Sequence, residues 1–349
     1  MSKRATAKDV ALKANVSVAA VYNWTSRPHL NSPELNARIS RAAAELGYSP
    51  RTATRQEARL RIGVEVHRTP DDVSAGIYAP LLVALMDEAE SRGGRVVPFL
   101  TRGDPAQRRE AYQKIWRGGD VDGFVVDTIP PDGGEPLETL NELDAPFVLF
   151  GRPPSQAVNK SRTQAEPYGW VDVDNRQGMR LGVDHLLDCG HRSIAYLGPS
   201  PTVDHVSDDR WRGYAEAIQI AGLEPQPVYV SYDEMLPTLR PPLEKLFKTE
   251  VTAVAAFSDD LAIEMMRFAM AVGRHIGGEV SNNDLAVVGY DNSEKARLGL
   301  TSVRQPIEEI SRNLVIALQE TIRNYGRPHH VVLPCELVVR DSTVTAVAI

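Results

Sequence analysis

The chain of 349 residues has little cysteine, few aromatic residues and no long apolar segment. Its two cysteines, Cys189 and Cys335, are spaced for neither a disulfide framework nor a CxxC metal motif. No apolar run approaches the roughly 18 residues that a membrane-spanning helix needs. The first residues are charged and lack the apolar core of a secretory signal. We therefore expect a cytoplasmic protein without membrane partners.

Motifs of several enzyme classes are also missing. The sequence has no GxSxG nucleophile elbow, no GxxxxGK[ST] phosphate loop, no GxGxxG after a predicted strand and no HExxH zinc motif. The pair His329-His330 has no third ligand nearby in sequence, so we expect neither a metal site nor a cofactor. We predict no catalytic residues, although an enzyme remains an alternative because α/β folds carry many chemistries.

Charge is unevenly distributed along the chain. Residues 1–61 contain 11 Lys and Arg against 4 Asp and Glu, whereas residues 62–349 contain 28 against 42. A small basic segment followed by an acidic body indicates that the first part meets a polyanion and that the body does not.

The first fifty residues predict three short helices. Thr6 and Asp9 have the spacing of a capping box at a helix start. Ser17 can cap a second helix over residues 18–24, and Ser32-Pro33 begins a third. Two helices joined by a tight turn and braced by a third form a helix-turn-helix unit.

We assign residues 1–49 to this head, residues 50–61 to a polar linker and residues 62–349 to the body. Short apolar runs, such as residues 62–66, alternate in the body with helical stretches, such as residues 81–92 and 108–116. This alternation predicts an α/β fold in which helices cover both faces of parallel sheets. The body is too long for one sheet of usual size, so we predict two similar lobes with a cleft between them.

Polar residues follow several of the predicted strands. In open parallel sheets, ligands bind beyond the carboxyl ends of the strands, so these residues should line one crevice. The sequence therefore predicts a body that binds a small molecule. The residues are His67, Asp127, Arg152, Ser258, Asp259 and Asp291.

These signals, in this order, resemble the LacI/GalR family of bacterial transcription regulators over essentially the whole chain. The motifs that carry the resemblance are TAKDVA (residues 6–11), VDGFVV (121–126), GHRSIAY (190–196), RWRGY (210–214), VVGYDN (287–292), TSVRQP (301–306) and LPCELVVRDST (333–343). Each is weak alone, but their joint order is specific.

The resemblance implies a body similar to periplasmic sugar-binding proteins, with three crossovers between the lobes. The N-lobe would comprise about residues 62–173 and 306–332, and the C-lobe about 174–305 and 333–349. The resemblance also implies a homodimer that binds a roughly palindromic DNA operator. Such a regulator, expected to be a repressor, would change its operator affinity when an effector, a sugar or sugar derivative, binds between the lobes.

The family's base-reading positions match Val18, Ala19 and Asn23, with Tyr22 beside them. Asn23 can form a bidentate pair with adenine, whereas Val18 and Ala19 offer only apolar contact. Tyr22 can equally be an exposed residue without a DNA contact. Positions that contact phosphates in the family match Thr6, Lys8, Ser17 and Ser26.

The linker departs from the family pattern. Family members usually carry Asn, Ala and Leu where this chain has Arg51, Thr54 and Glu57, and their linker is a few residues longer. The Leu wedges into the minor groove, a role that a carboxylate cannot take because phosphates repel it. We expect Arg51 and Arg55 to hold the linker to DNA electrostatically instead.

In the body, Arg210 matches an arginine that holds effector hydroxyl or carboxylate groups in the family, and Asp291 matches its acidic partner. Asp259 matches the acidic member of an Asn-Asp pair whose Asn is Ser258 here. Arg152 and His67 are further candidate lining residues, as is Tyr232, a platform for a sugar ring.

Structural roles remain alternatives at these positions. Arg210 and Asp291 can form a purely structural ion pair, and His67 can be a strand-end histidine without a ligand.

A periplasmic solute receptor is the second alternative function, although the basic head argues against it.

Overall fold

A computed structural model describes residues 6–18, 20, 21, 24, 31–46, 48, 60–67, 75–101, 104–127, 134–153, 168–230, 239–277, 280, 284–323 and 328–343. The chain divides into two compact units, Met1–Leu60, which spans the head and nearly all of the linker, and Arg61–Ile349, which spans the body.

The head begins with helix α1 (Ala7–Ala14), and the predicted capping box at its start is confirmed. The hydroxyl of Thr6 accepts the amide N–H of Asp9 at 3.4 Å, and the Asp9 carboxylate accepts the amide of Thr6 at 2.7 Å. Residues 18, 20, 21 and 24 are also helical, and the Ser17 hydroxyl accepts the Ala20 amide at 3.1 Å. Helix α2 (Pro33–Glu45) begins where the Ser32-Pro33 pair predicts.

A small apolar core holds the head together. It comprises Val10, Ala11, Ala14, Val21, Ile39, Ala42 and Ala43, with Trp24 and Tyr48 packed against it. Arg38 donates to the carbonyl oxygens of Ala14 and Asn15, at 2.7 and 3.0 Å, and so satisfies acceptors at the end of α1.

The body contains thirteen strands among its described residues. In chain order its elements are β1 (Arg61–His67), α3 (Ala75–Ser91), β2 (Arg95–Thr101), α4 (Pro105–Gly118), β3 (Gly123–Asp127), α5 (Gly134–Glu142), β4 (Phe147–Phe150), β5 (Gly169–Val173), α6 (Asn175–Asp188), β6 (Ile194–Gly198), α7 (His205–Ile220), β7 (Gln226–Tyr229), α8 (Arg240–Leu246), β8 (Ala253–Ala256), α9 (Asp259–Ala271), β9 (His275–Ile276), β10 (Asp284–Asp291), a 3-10 helix (Glu294–Leu298), β11 (Thr301–Arg304), α10 (Ile307–Arg323), β12 (His330–Leu333) and β13 (Glu336–Val338).

The strands form two sheets. The first has the order β12-β5-β4-β3-β1-β2, and every pair in it is parallel. The second has the order β13-β11-β10-β8-β6-β7, with β9 beside β10, and its one described antiparallel pair is β11 with β13. The predicted α/β fold with parallel sheets is confirmed, and the antiparallel edge is the difference from the expectation.

The chain passes between the sheets three times among the described residues. It leaves the first sheet after β5, returns after β11 through α10, and crosses again between β12 and β13. The first and third passages touch, because the amide of Asp174 donates to the carbonyl oxygen of Leu333 at 2.9 Å.

Close helix packing supports the second sheet. A Cβ on Gly213 of α7 would lie 2.2 Å from the carbonyl oxygen of Arg176 on α6, so only glycine allows these helices their present distance. Within the described part of the chain, no helix is long and apolar enough to span a bilayer. The same residues contain no group of three or more His, Cys, Asp or Glu side chains arranged to hold a metal ion.

Candidate ligand-binding site

Four of the predicted residues come together at the carboxyl ends of the strands of the second sheet. Ser258 and Asp259 follow β8, Asp291 ends β10, and Arg210 extends from α7 toward them. The hydroxyl of Ser258 accepts the amide of Leu261 at 3.4 Å and thereby caps α9. We call Arg210, Tyr290 and Asp291 the Arg210 cluster.

Arg210 is buried and held from several directions. Its Nε donates to the Asn175 side chain at 2.9 Å, and its Nη1 donates to the carbonyl oxygen of Phe257 at 2.6 Å. Nη2 lies 3.6 Å from Oδ1 of Asp291, and the guanidinium sits 3.6 Å from the centre of the Tyr290 ring. The direction of the guanidinium is therefore fixed before any ligand arrives.

Asp291 combines a buried carboxylate with an unusual backbone. Its φ is 105°, a left-handed conformation that a residue other than glycine rarely adopts. Its Oδ1 accepts the side-chain amide of Gln305 at 2.8 Å. Burial raises the pKa of Asp291 to about 6, although Arg210 and Gln305 favour the ionised form.

The side chain of Asp259 is less exposed to solvent than that of Asp291. Its two carboxylate oxygens accept the hydroxyl of Ser302 and the amide of Ser293, each at 2.6 Å. Burial and the charge of Asp291 raise the pKa of Asp259 to about 7. A Cβ on Gly289 would lie 2.3 Å from this carboxylate, so the glycine makes room for it. Asp259 thus ties β8, β10 and β11 together behind the Arg210 cluster.

The first sheet presents polar groups to the same region. Asp127 ends β3 and accepts the hydroxyl of Tyr78, which lies on α3. A Cβ on Gly76 of the same helix would lie 3.5 Å from Oδ2 of Asp291. The amino end of α3 therefore approaches Asp291 at the carboxyl end of β10, and the carboxyl ends of the strands in the two sheets face each other.

Arg152 lies after β4 and is engaged with two carboxylates. Its Nε donates to Asp172 at 2.9 Å, and its Nη2 contacts Asp209. Burial acts to raise the pKa of Asp172, but His205, Arg152 and the Val173 amide favour the ionised form and hold the pKa below its usual range.

The structure describes the remaining predicted site residues only in part. His67 ends β1, but its side chain lies outside the described part of the structure, as does Tyr232. In the head, Thr6, Lys8 and Ser17 are exposed and Val18 is half-buried. The DNA-contact candidates outside the described residues are Ala19, Tyr22, Asn23, Ser26, Arg51 and Arg55.

Two further residues of the site are not among those predicted from the sequence. Asn175 orients Arg210, and Gln305 donates to Asp291. Gln305 directly follows β11, and Asn175 comes two residues after β5. Both therefore obey the rule that polar residues beyond the carboxyl ends of parallel strands line the ligand site.

Comparison with known proteins identifies the family. A family model for a periplasmic binding protein-like domain matches residues 183–343. The HTH-type transcriptional regulator CelR of Thermobifida fusca is 31% identical over 354 residues, which cover 97% of this chain and 98% of CelR. The structure of a CelR–cellobiose complex has a TM-score of 0.67 and 29% identity, covering 97% of this chain and 100% of that one.

A second solved structure supports the same assignment. It is a regulatory protein of the LacI family from Chloroflexus aggregans, with a TM-score of 0.67 and 28% identity over 82% of this chain and 99% of that one. The chain therefore belongs to the LacI/GalR family of transcriptional regulators.

Proposed function

We propose that this protein is a transcriptional repressor that binds a DNA operator through its head and loses or gains operator affinity when a sugar-like effector binds between the lobes of its body. The observation that carries the proposal is the Arg210 cluster, in which a buried guanidinium and a carboxylate are held side by side at the strand ends. Family membership supports the regulatory role.

The chemistry of the cluster suits a polyol. A guanidinium only donates hydrogen bonds and an ionised carboxylate only accepts them, so together they can bind neighbouring hydroxyl groups of a sugar ring. Asp127 and the hydroxyl of Tyr78 add polar groups from the facing lobe. CelR, whose structure contains cellobiose, supports a sugar as the ligand.

We infer the following organisation of the chain. Residues 1–49 read DNA, residues 50–61 form the hinge, and the lobes comprise about residues 62–173 with 306–332 and about 174–305 with 333–349. The positions of the three passages between the sheets support these limits. In this proposal two copies pair so that two heads meet the halves of a palindromic operator.

In the head, the proposed base contacts are those of Val18, Ala19, Tyr22 and Asn23. The proposed phosphate contacts are those of Thr6, Lys8, Ser17 and Ser26, with Arg51 and Arg55 in the hinge. Exposure of Thr6, Lys8 and Ser17 supports their part in this set. Ser17 combines this role with its capping of the second helix.

We propose binding without turnover, in the cytoplasm. The paired carboxylates Asp172 and Asp174 support this view because both have structural partners. Asp174 accepts the amide of Gln177 at 2.8 Å and caps α6, while Asp172 accepts a hydrogen bond from Arg152. CelR is a transcriptional regulator, and the relative from Chloroflexus aggregans is a regulatory protein of the LacI family.

A structural role for Arg210 is the specific alternative, because its Nε and Nη1 are already bonded within the protein. Nη2, which lies 3.6 Å from Asp291, is the nitrogen that the proposal assigns to the ligand.

The proposal is tested by selecting genomic fragments that bind the purified chain, with and without cellobiose, ribose and a panel of sugar acids. We expect specific fragments whose recovery changes severalfold with one sugar. Specific recovery that no sugar alters would contradict the effector part, and no recovery at low salt would contradict the DNA part.

A further inference from the structure

Four polar side chains join the two lobes beside the Arg210 cluster. Arg152 and Asp172 belong to the first sheet, one after β4 and the other in β5. His205 and Asp209 lie one turn apart at the start of α7, which packs on the second sheet. We call these four residues the inter-lobe cluster.

Arg152 is the centre of this cluster. Its guanidinium donates to Asp172 of its own lobe at 2.9 Å and contacts Asp209 of the other lobe. His205 approaches the same Asp172 carboxylate from the other lobe, with Nε2 at 3.5 Å from Oδ2. The Asp172 side chain is only 4% exposed, so its charge depends on these partners.

The inter-lobe cluster is connected to Arg210 by hydrogen bonds. Asp172 accepts the side-chain amide of Asn175 at 3.3 Å, and the oxygen of that amide accepts Nε of Arg210 at 2.9 Å. Asp209 also directly precedes Arg210 in α7. A rotation of one lobe against the other would therefore strain the Arg152 contacts and the hydrogen bond between Asp172 and Asn175, the side chain that orients Arg210.

We propose that Arg152 is a positioning residue that holds the two lobes in the arrangement seen here, and that it acts on ligand binding through Asp172 and Asn175 rather than by touching the ligand. Only this effect on ligand response rests on the proposed function. If Arg152 turned toward a ligand, it would leave Asp209 without this cation and the buried Asp172 with weaker compensation.

The expected size of the effect is modest. The Arg152 side chain is 38% exposed, so water screens its charge. Of its two ion pairs only the one with Asp209 crosses between the lobes, and a partly exposed pair of this kind changes an equilibrium by up to roughly 5-fold. A change of that size in the ratio of the present lobe arrangement to an opened one is measurable as a shift in a distance distribution.

The test measures the distance between the lobes in the full chain without sugar. Spin labels are attached at Lys114→Cys on α4 and Lys245→Cys on α8, both exposed, in a Cys189→Ser background. Labelled chains are diluted with unlabelled chains so that intermolecular pairs are rare. Arg152→Met should add a population at changed distance, Asp209→Asn should do the same, and the double variant should add nothing further.

The matched control is Arg176→Met. It removes an exposed arginine–glutamate pair, Arg176 with Glu216, that lies within one lobe. This variant should leave the distance distribution unchanged. The proposal is overturned if Arg152→Met retains the parent distribution, or if Arg176→Met alters it equally.

A cellobiose titration of the same labelled proteins separates this inference from the proposed function. We expect the cellobiose concentration at half-response to differ by roughly 5-fold between the parent and Arg152→Met. If the parent chain ignores every sugar, the effector proposal fails, and the sugar-free distances still decide the role of Arg152.

Discussion

The guanidinium of Arg210 lies 3.6 Å from the centre of the Tyr290 ring, stacked against strand β10. The Tyr290 hydroxyl lies 3.3 Å from Sγ of Cys335 in the third passage between the sheets. Asn175 in the first passage and Gln305 in the second reach the same cluster. Every described passage between the lobes therefore contributes a side chain to the surroundings of Arg210. Relative movement of the lobes should therefore change the environment of Arg210.

Replacing Arg210 should destabilise the body. Arg210→Met leaves the largely buried Asp291 carboxylate without its cation, and such losses cost about 3–5 kcal/mol. The free energy of unfolding in urea measures the effect. The double variant Arg210→Met with Asp291→Asn should lose less, because no uncompensated charge remains. Equal losses in the single and double variants would show that the pair carries no such coupling.

The stability of the body should depend on pH through Asp259. Its pKa is raised from 3.8 to about 7 in the folded protein, so the folded state keeps a proton that the unfolded state releases. This contribution is fully present below about pH 4 and is lost as the pH rises through 7. Asp291 acts in the same direction, and Asp172, whose pKa is lowered, acts in the opposite one.

The variant Asp259→Asn isolates this effect. Its free energy of unfolding should fall less steeply than that of the parent between about pH 4 and pH 7, when urea denaturation is repeated across that range. Parallel pH profiles for the two proteins would mean that Asp259 does not hold its proton in the folded state.

Sequence patterns predict the fold class well but place the helix starts too late. Apolar periodicity predicts helices over residues 81–92 and 108–116, whereas α3 begins at Ala75 and α4 at Pro105. The first turn of α4 is set by Asp104, which caps it, and by Pro105 at its first position. Periodicity reports only the buried face of a helix and does not detect these terminal signals.

The sequence predicts some residues of the site but not those in the passages between the sheets. Family motifs single out Arg210 and Asp291, and Asp291 also follows a predicted strand; the structure brings the two side chains to within 3.6 Å. Gln305 lies in the motif TSVRQP as well, but the motif alone gives it no partner. Asn175 and Gln305 belong to segments that leave one sheet for the other. Their proximity follows from the three passages between the lobes, which apolar patterns do not encode. The antiparallel β13 was missed because a strand of three residues has no readable alternation.

Helix packing gives a further prediction. Gly213→Ala should force α7 away from α6, because the added Cβ would meet the backbone at Arg176. Overpacking of this kind typically costs about 1–3 kcal/mol, measurable by thermal or urea unfolding. Arg212→Ala, in the same helix and exposed, is the control and should change stability by less than about 0.5 kcal/mol. Similar losses in both variants would contradict the packing argument.

The positive charge of Lys8 in the head should contribute to DNA affinity. Lys8→Ala should weaken binding about equally for all DNA sequences and reduce the slope of log affinity against log salt by about 1. Lys13 in the same helix is paired with Glu45 at 2.9 Å, so Lys13→Ala is the matched control and should leave the slope nearly unchanged. Titrations of labelled DNA at several salt concentrations compare the two. An unchanged slope for Lys8→Ala would remove this residue from the proposed contact set.

The most direct measurement is the affinity of the full chain for a genomic fragment recovered by selection, determined at rising salt with and without each sugar of the panel. We predict tight, sequence-specific binding that weakens steeply with salt and changes severalfold when one sugar is present. A chain that binds no fragment above the level of scrambled DNA, at low salt and with every sugar, would contradict the account of a sugar-controlled DNA-binding regulator.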